Sequence, residues 1–160
     1  MIFVVLGTFE LPFTRLLDEV NRLKEKGVIK EDIVVQNGHT AYRSENMDLK
    51  PFVSYEEMDK LFETARLVIT HAGTGSVITA LRKHKKVIAV ARLEKYGEHN
   101  DDHQLQLVDV LAKEGHILRW DDGEKLEYII KQVESFEPVP FKGNKQKMIG
   151  ILRNFIDKLE

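Results

Sequence analysis

Short apolar runs alternate with amphipathic stretches along the whole chain. Residues 2–6, IFVVL, are continuous, rich in β-branched side chains and stopped by Gly7, which predicts a buried strand. Pro12 suits the first turn of a helix; Leu16, Leu17, Val20 and Leu23 give that helix its apolar stripe, and Gly27 suits its C-terminal cap. Residues 33–35 read as a second strand and Phe52-Val53 as a short third one. Ser54 and Glu57 have capping-box spacing ahead of a helix with Met58, Leu61 and Phe62 on one face. Residues 67–69 and 87–90 are the fourth and fifth strands, and a helix bearing Val77, Ile78 and Leu81 lies between them. A polar loop, residues 92–102, leads to a helix with Leu105, Leu107, Val108 and Leu111 that Gly115 stops. Residues 116–118 read as a sixth strand and residues 123–133 as a helix.

Strands that are apolar throughout and alternate with helices predict a parallel sheet covered on both faces. Right-handed crossovers make it a doubly wound, Rossmann-like α/β fold. The expected domain spans residues 1–136. Pro138 and Pro140 mark a linker, and residues 137–160 carry it and an amphipathic terminal helix with Met148, Ile151, Leu152, Phe155, Ile156 and Leu159 on one face. That helix packs on its own sheet or reaches a partner or membrane surface.

Composition narrows the chemistry. With 160 residues, there is room for one ordinary domain. Apolar residues at 42% and charged residues at 31% exclude intrinsic disorder. A net charge of -2 argues against a dedicated nucleic-acid binder. The sequence has no cysteine, which removes disulfides, thiolate zinc sites and a thiol nucleophile. Neither a signal peptide nor a membrane span is read, so the cytoplasm is the expected compartment.

Ligands of open parallel sheets bind outside the carboxyl ends of the strands. Three polar loops fall there. The first is Gly7-Thr8. The second, His71-Ala72-Gly73-Thr74-Gly75-Ser76, offers two glycines for close backbone approach, two hydroxyls and the start of a helix, which favours a diphosphate. It matches neither the dinucleotide fingerprint nor a P-loop, and a glycine turn with a cap and no ligand is the plain alternative. The third, residues 97–104, places Glu98, His99, Asp101, Asp102, His103 and Gln104 within eight positions. Adjacent helical positions diverge, so sugar-hydroxyl recognition is expected rather than a metal, with one of Asp101 and Asp102 capping the helix. The basic run at residues 82–86 reads as a solvated helix end, with anionic lipid contact as the alternative. Trp120 reads as core.

Together, HAGTGS and GEHNDDHQ at this spacing resemble the C-terminal, donor-binding domain of glycosyltransferase family 28. The likeness is greatest to short PssE-type subunits of exopolysaccharide and capsule transferases and to the small subunit of the split dolichol-pathway transferase. It runs from residue 4 through the helix after Asp121 and implies the C-terminal half of a GT-B enzyme, which holds a UDP-sugar and inverts the anomeric carbon without a metal or other cofactor. The family's diphosphate loop falls on Gly73, Thr74, Gly75 and Ser76, its sugar-binding pair on His103 and Gln104, and its first-strand loop on Gly7 and Thr8. Its second-strand end falls on Gln36 and Gly38. His103 replaces a common Gln. Thr79 replaces the Glu that binds ribose in MurG-like enzymes, which shifts that role to Glu98, and Phe9 stands where several short relatives carry His.

His71 and His99 are the candidate general bases within the chain, and a partner is the other source. The resemblance implies a UDP-sugar-binding subunit that transfers a hexose, galactose by expectation, to a lipid-linked saccharide acceptor. A membrane-anchored acceptor-binding subunit would supply the other domain and hold this chain peripherally at the membrane, and a homo-oligomer is an option for the isolated chain. A non-catalytic nucleotide-sugar-binding module and a stand-alone epimerase are the other readings.

Overall fold

The computed structural model describes residues 1–142 and residue 150. The terminal helix expected beyond the prolines lies outside the described residues. Six strands form one all-parallel sheet in the order β3-β2-β1-β4-β5-β6, the doubly wound arrangement that the sequence predicts. The strands are β1 (Ile2–Val5), β2 (Ile33–Gln36), β3 (Asp48–Lys50), β4 (Leu67–His71), β5 (Lys86–Val90) and β6 (Leu118–Arg119). The helices are α1 (Thr14–Glu25), α2 (Tyr55–Thr64), α3 (Thr74–Arg82), α4 (Gln104–Lys113) and α5 (Leu126–Gln132).

Successive side chains of a strand point to opposite faces, so a sheet buried on both sides needs apolar residues at every position. In β1, Ile2 and Val4 enter one core with α1 and α5, while Phe3 and Val5 enter the other with α2, α3 and α4. Phe3 is fully buried, and its ring meets Phe62 of α2 edge-on at 5.1 Å. Truncating such a side chain to Ala costs about 3–5 kcal/mol. Ser54 caps α2 as its spacing predicts, its hydroxyl accepting the Glu57 amide at 3.1 Å. Gly27, at φ +75, closes α1, and the Val28 amide returns to the Leu23 carbonyl.

Several boundaries differ from the sequence reading, among them that of β4, which runs on to His71. The third strand is Asp48–Lys50, not Phe52-Val53. It is an edge strand paired only with β2, so polar residues suffice there, and Phe52 beyond Pro51 is 57% exposed. The sixth strand begins at Leu118 rather than residue 116, because His116 turns its ring to the Val139 carbonyl, 2.8 Å away. Helix α5 starts at Leu126, after a turn at residues 121–124. Pro12 precedes α1 instead of entering it; the Phe13 amide at the N-cap donates to Thr40 Oγ1 at 3.0 Å. Beyond the expected boundary at residue 136, the Val139 amide donates to the Gly115 carbonyl and Phe141 is buried in the second core.

Candidate functional site

The carboxyl ends of β1, β2, β3 and β4 open into a cleft of about 860 Å³. Its floor is His71, the last residue of β4. Gly7 and Gly73 flank the imidazole so closely that a Cβ added to either would collide with it. Gly7 also sits at φ +77, a conformation that suits glycine. Burial and the nearby Arg92 guanidinium push His71 down to about 3, so the ring is neutral at physiological pH. The Gln104 amide oxygen accepts the backbone N–H groups of Arg92 (2.9 Å) and Ala72 (3.2 Å), which turns its nitrogen toward His71 Nδ1 at 3.5 Å. An amide nitrogen only donates, so His71 Nδ1 accepts and the ring proton resides on Nε2, the edge that faces Gly7. His71 is therefore a poor proton acceptor and a good neutral donor, which weighs against the role of base and for that of a neutral, packed histidine.

Helix α3 begins at Thr74 with Gly73 as its N-cap and no side-chain cap, so its first amides are free to meet an anion. Gly75 and Ser76 line the cleft at this point, and the space beside Gly75 is open. Thr8 lies at the rim. Thr79, one turn on, donates its hydroxyl to the Gly75 carbonyl at 2.8 Å. One wall of the cleft is apolar: Phe52, Val53, Tyr55 and Met58, with Tyr55 87% exposed and His39 edge-on to Phe52 at 5.2 Å. The sequence assigned Phe52-Val53 to a strand and Met58 to a helix core face; Met58 does pack against the second core and lines the cleft as well. Their role here depends on the turn at Pro51, which no periodicity reports.

The carboxylates of the loop at residues 97–104 are largely committed to the protein's own groups. Glu98 is 2% exposed; Arg15 donates to its two oxygens at 2.9 and 3.0 Å, and the Leu93 amide at 3.0 Å. Buried in this way and outside the cleft lining, Glu98 is poorly placed for the ribose role expected of it. Asp102 accepts the Glu94 amide at 2.9 Å and faces a separate hollow beside Trp120. Asp101 accepts the His103 amide at 3.0 Å and lies 2.9 Å from His103 Nδ1. Burial would raise the Asp101 carboxyl, yet these His103 contacts hold it below its ordinary value. Thr74, Glu98, Asp101, Asp102 and His103 do not line the cleft; Gly7, Thr8, Gln36, His71, Gly73, Gly75, Ser76, His99 and Gln104 do.

Several of the lining residues are held from beneath. Gln36 accepts the Gly7 amide at 2.9 Å and donates to the Gly7 and Pro51 carbonyls, each at 3.0 Å. Arg92 is 1% exposed and donates to the carbonyls of Leu6 (2.6 Å), Leu11 (2.7 Å) and Glu98 (3.1 Å). Burial pulls Arg92 down to about 10, which still leaves it charged at neutral pH. His99 stacks on Phe9, with ring centroids 4.4 Å apart. Its Nδ1 is 3.2 Å from Asp101 but off the line of a hydrogen bond. Among the described residues, no three His, Asp or Glu side chains gather as a metal set. On the far side of the molecule, Lys83 pairs with Asp59 and Glu63, and Lys86 donates to the Val133 carbonyl. The basic run is thus largely spent on the protein's own groups.

Residues 1–159 match the glycosyltransferase family 28 C-terminal domain. The chain belongs to this family. It is 26% identical to the UDP-N-acetylglucosamine transferase subunit ALG13 of Yarrowia lipolytica, over 99% of this chain and 84% of that one. The Eremothecium gossypii subunit of the same name is 31% identical over 62% of this chain, which there spans about half (49%) of the relative. Among solved structures, the fold is similar to ALG13 in solution (TM-score 0.59, 18% identity, 91% of each chain). It is also similar to Acinetobacter baumannii MurG (TM-score 0.53, 19% identity, 82% of this chain and 40% of that one). The family 28 domain is therefore the Rossmann-like unit equivalent to the C-terminal half of a GT-B glycosyltransferase.

Proposed function

We propose that the cleft binds a UDP-sugar and that the chain is the donor-binding subunit of a two-chain inverting glycosyltransferase. The observation that carries this reading is the order of surfaces along the cleft. An apolar wall at Phe52 and Tyr55 suits a base. The uncapped start of α3 and the His71 Nε2–H suit a diphosphate. The polar end near His99 and Gln104 suits a sugar. As the bond to the anomeric carbon breaks, negative charge grows on the departing diphosphate, and preorganised amides and a neutral imidazole N–H stabilise it without a metal. His99, held against Phe9 and beside Asp101, is the candidate base of this chain.

The acceptor is a lipid-linked saccharide presented by a membrane-anchored second subunit, with this chain peripheral to the cytoplasmic face. The names of the curated relatives support N-acetylglucosamine as the sugar and lend none to galactose. Calorimetry with UDP tests the donor site. The wild type is expected to bind, and Gly75→Trp, which fills open space at the start of α3, is expected to lose at least 100-fold in affinity with an unchanged melting temperature. Equal affinity of the two proteins rejects the assignment. Transfer from a UDP-sugar by the purified chain alone would reject the two-chain reading.

A further inference from the structure

The sequence offers Glu98, Asp101 and Asp102 as carboxylates for sugar hydroxyls, and the fold commits all three elsewhere. Among the described residues that line the cleft, one carboxylate remains, and it is Glu10. Glu10 is exposed and, among the described residues, makes neither a hydrogen bond nor an ion pair. Its backbone is nonetheless fixed on both sides. Phe9 stacks on His99, and the Leu11 carbonyl accepts from the buried Arg92 at 2.7 Å. A free carboxylate on a held loop is an acceptor with its capacity unspent, and an ionised carboxylate can only accept. Next to a diphosphate it would repel; next to a sugar it would take two hydroxyl hydrogen bonds, stronger than neutral ones. Glu10 shares the cleft lining with the residue before it, Phe9, whose ring lies against His99.

We infer that Glu10 is the sugar-recognising carboxylate of the donor site, an inference that rests on the UDP-sugar reading above. The test compares UDP with UDP-N-acetylglucosamine, UDP-glucose and UDP-galactose by calorimetry on the wild type, Glu10→Gln and Glu10→Ala. The readout is the ratio of the Kd for UDP to the Kd for the best-bound UDP-sugar. In both variants that ratio is expected to fall about 10-fold, while UDP affinity stays within about twofold. An unchanged ratio overturns the inference and leaves the donor site standing. So does a tightening of UDP and UDP-sugars alike in Glu10→Gln, which would place the carboxylate against the phosphates. A wild type that binds neither UDP nor any UDP-sugar removes the donor-site reading itself, and this inference with it.

Discussion

Two glycine-led loops stand at the carboxyl edge of the sheet, and they are put to opposite uses. The loop at residues 71–76 keeps its polar groups open: uncapped amides, the Ser76 hydroxyl and empty space at Gly75 face the cleft. The loop at residues 97–104 spends nearly all of its charge inside the protein, on Arg15, Leu93, Glu94 and His103. Both read alike as strings of polar residues between a strand and a helix. The difference lies in partners contributed from far along the chain. Arg15 is 83 residues from Glu98, and without it Glu98 would keep the Leu93 amide but lose its ionic partner. A dense polar motif thus builds the wall of a site as readily as its ligands.

The largest expected effect comes from loosening that wall. Glu98→Gln leaves Arg15 without its ionic partner and should lower unfolding stability by about 2–4 kcal/mol in urea titrations. UDP affinity of the folded fraction should change little. A variant of normal stability that fails to bind UDP would reverse the contrast between the loops.

A smaller effect is set by pH and belongs to the open loop. His71 titrates near 6.5 when unfolded and is pushed down to about 3 in the folded state, so the unfolded chain takes up a proton that the native chain refuses. Stability is therefore full above about pH 6.5 and declines as pH falls from there toward 3, by up to about 1.4 kcal/mol per pH unit. His71→Asn should flatten that decline in denaturation midpoints measured between pH 7 and 4. An equal slope in both proteins would mean that His71 is not desolvated.

The smallest effect sharpens the comparison. Asp102→Ala removes the acceptor of the Glu94 amide and should cost about 0.5–1 kcal/mol, with nucleotide-sugar affinity unaffected because Asp102 faces away from the cleft. A loss of UDP-sugar binding at constant stability would return Asp102 to the site.

Much of the fold was legible because buried parallel strands must be apolar on both faces. Residues 2–6, 67–69 and 87–90 could scarcely serve otherwise. The edge strand β3 was not, since one-sided pairing relaxes that demand and Asp48–Lys50 looks like loop, whereas β6 was found with its start two residues early. The glycine loop was legible as a site because its chemistry is backbone chemistry, dictated by Gly73, Gly75 and the helix that follows. The protonation state of its imidazole was not legible. His71 looks like a base until the burial that neutralises it is known. Phe52, Tyr55 and Glu10 carried no local signal, since an exposed side chain on a turn acquires meaning only from what stands across the cleft.

Gly7, His71 and Gly73 come from two separate segments, yet sterically they behave as one unit. The imidazole occupies the volume that side chains at the two glycines would need. Sequence drift at the three positions should therefore be concerted: a lineage that shrinks the histidine frees Gly73 to gain a side chain, and one that enlarges either glycine must first give up the ring. In the descendants of this chain, these three positions should be inherited as a single character.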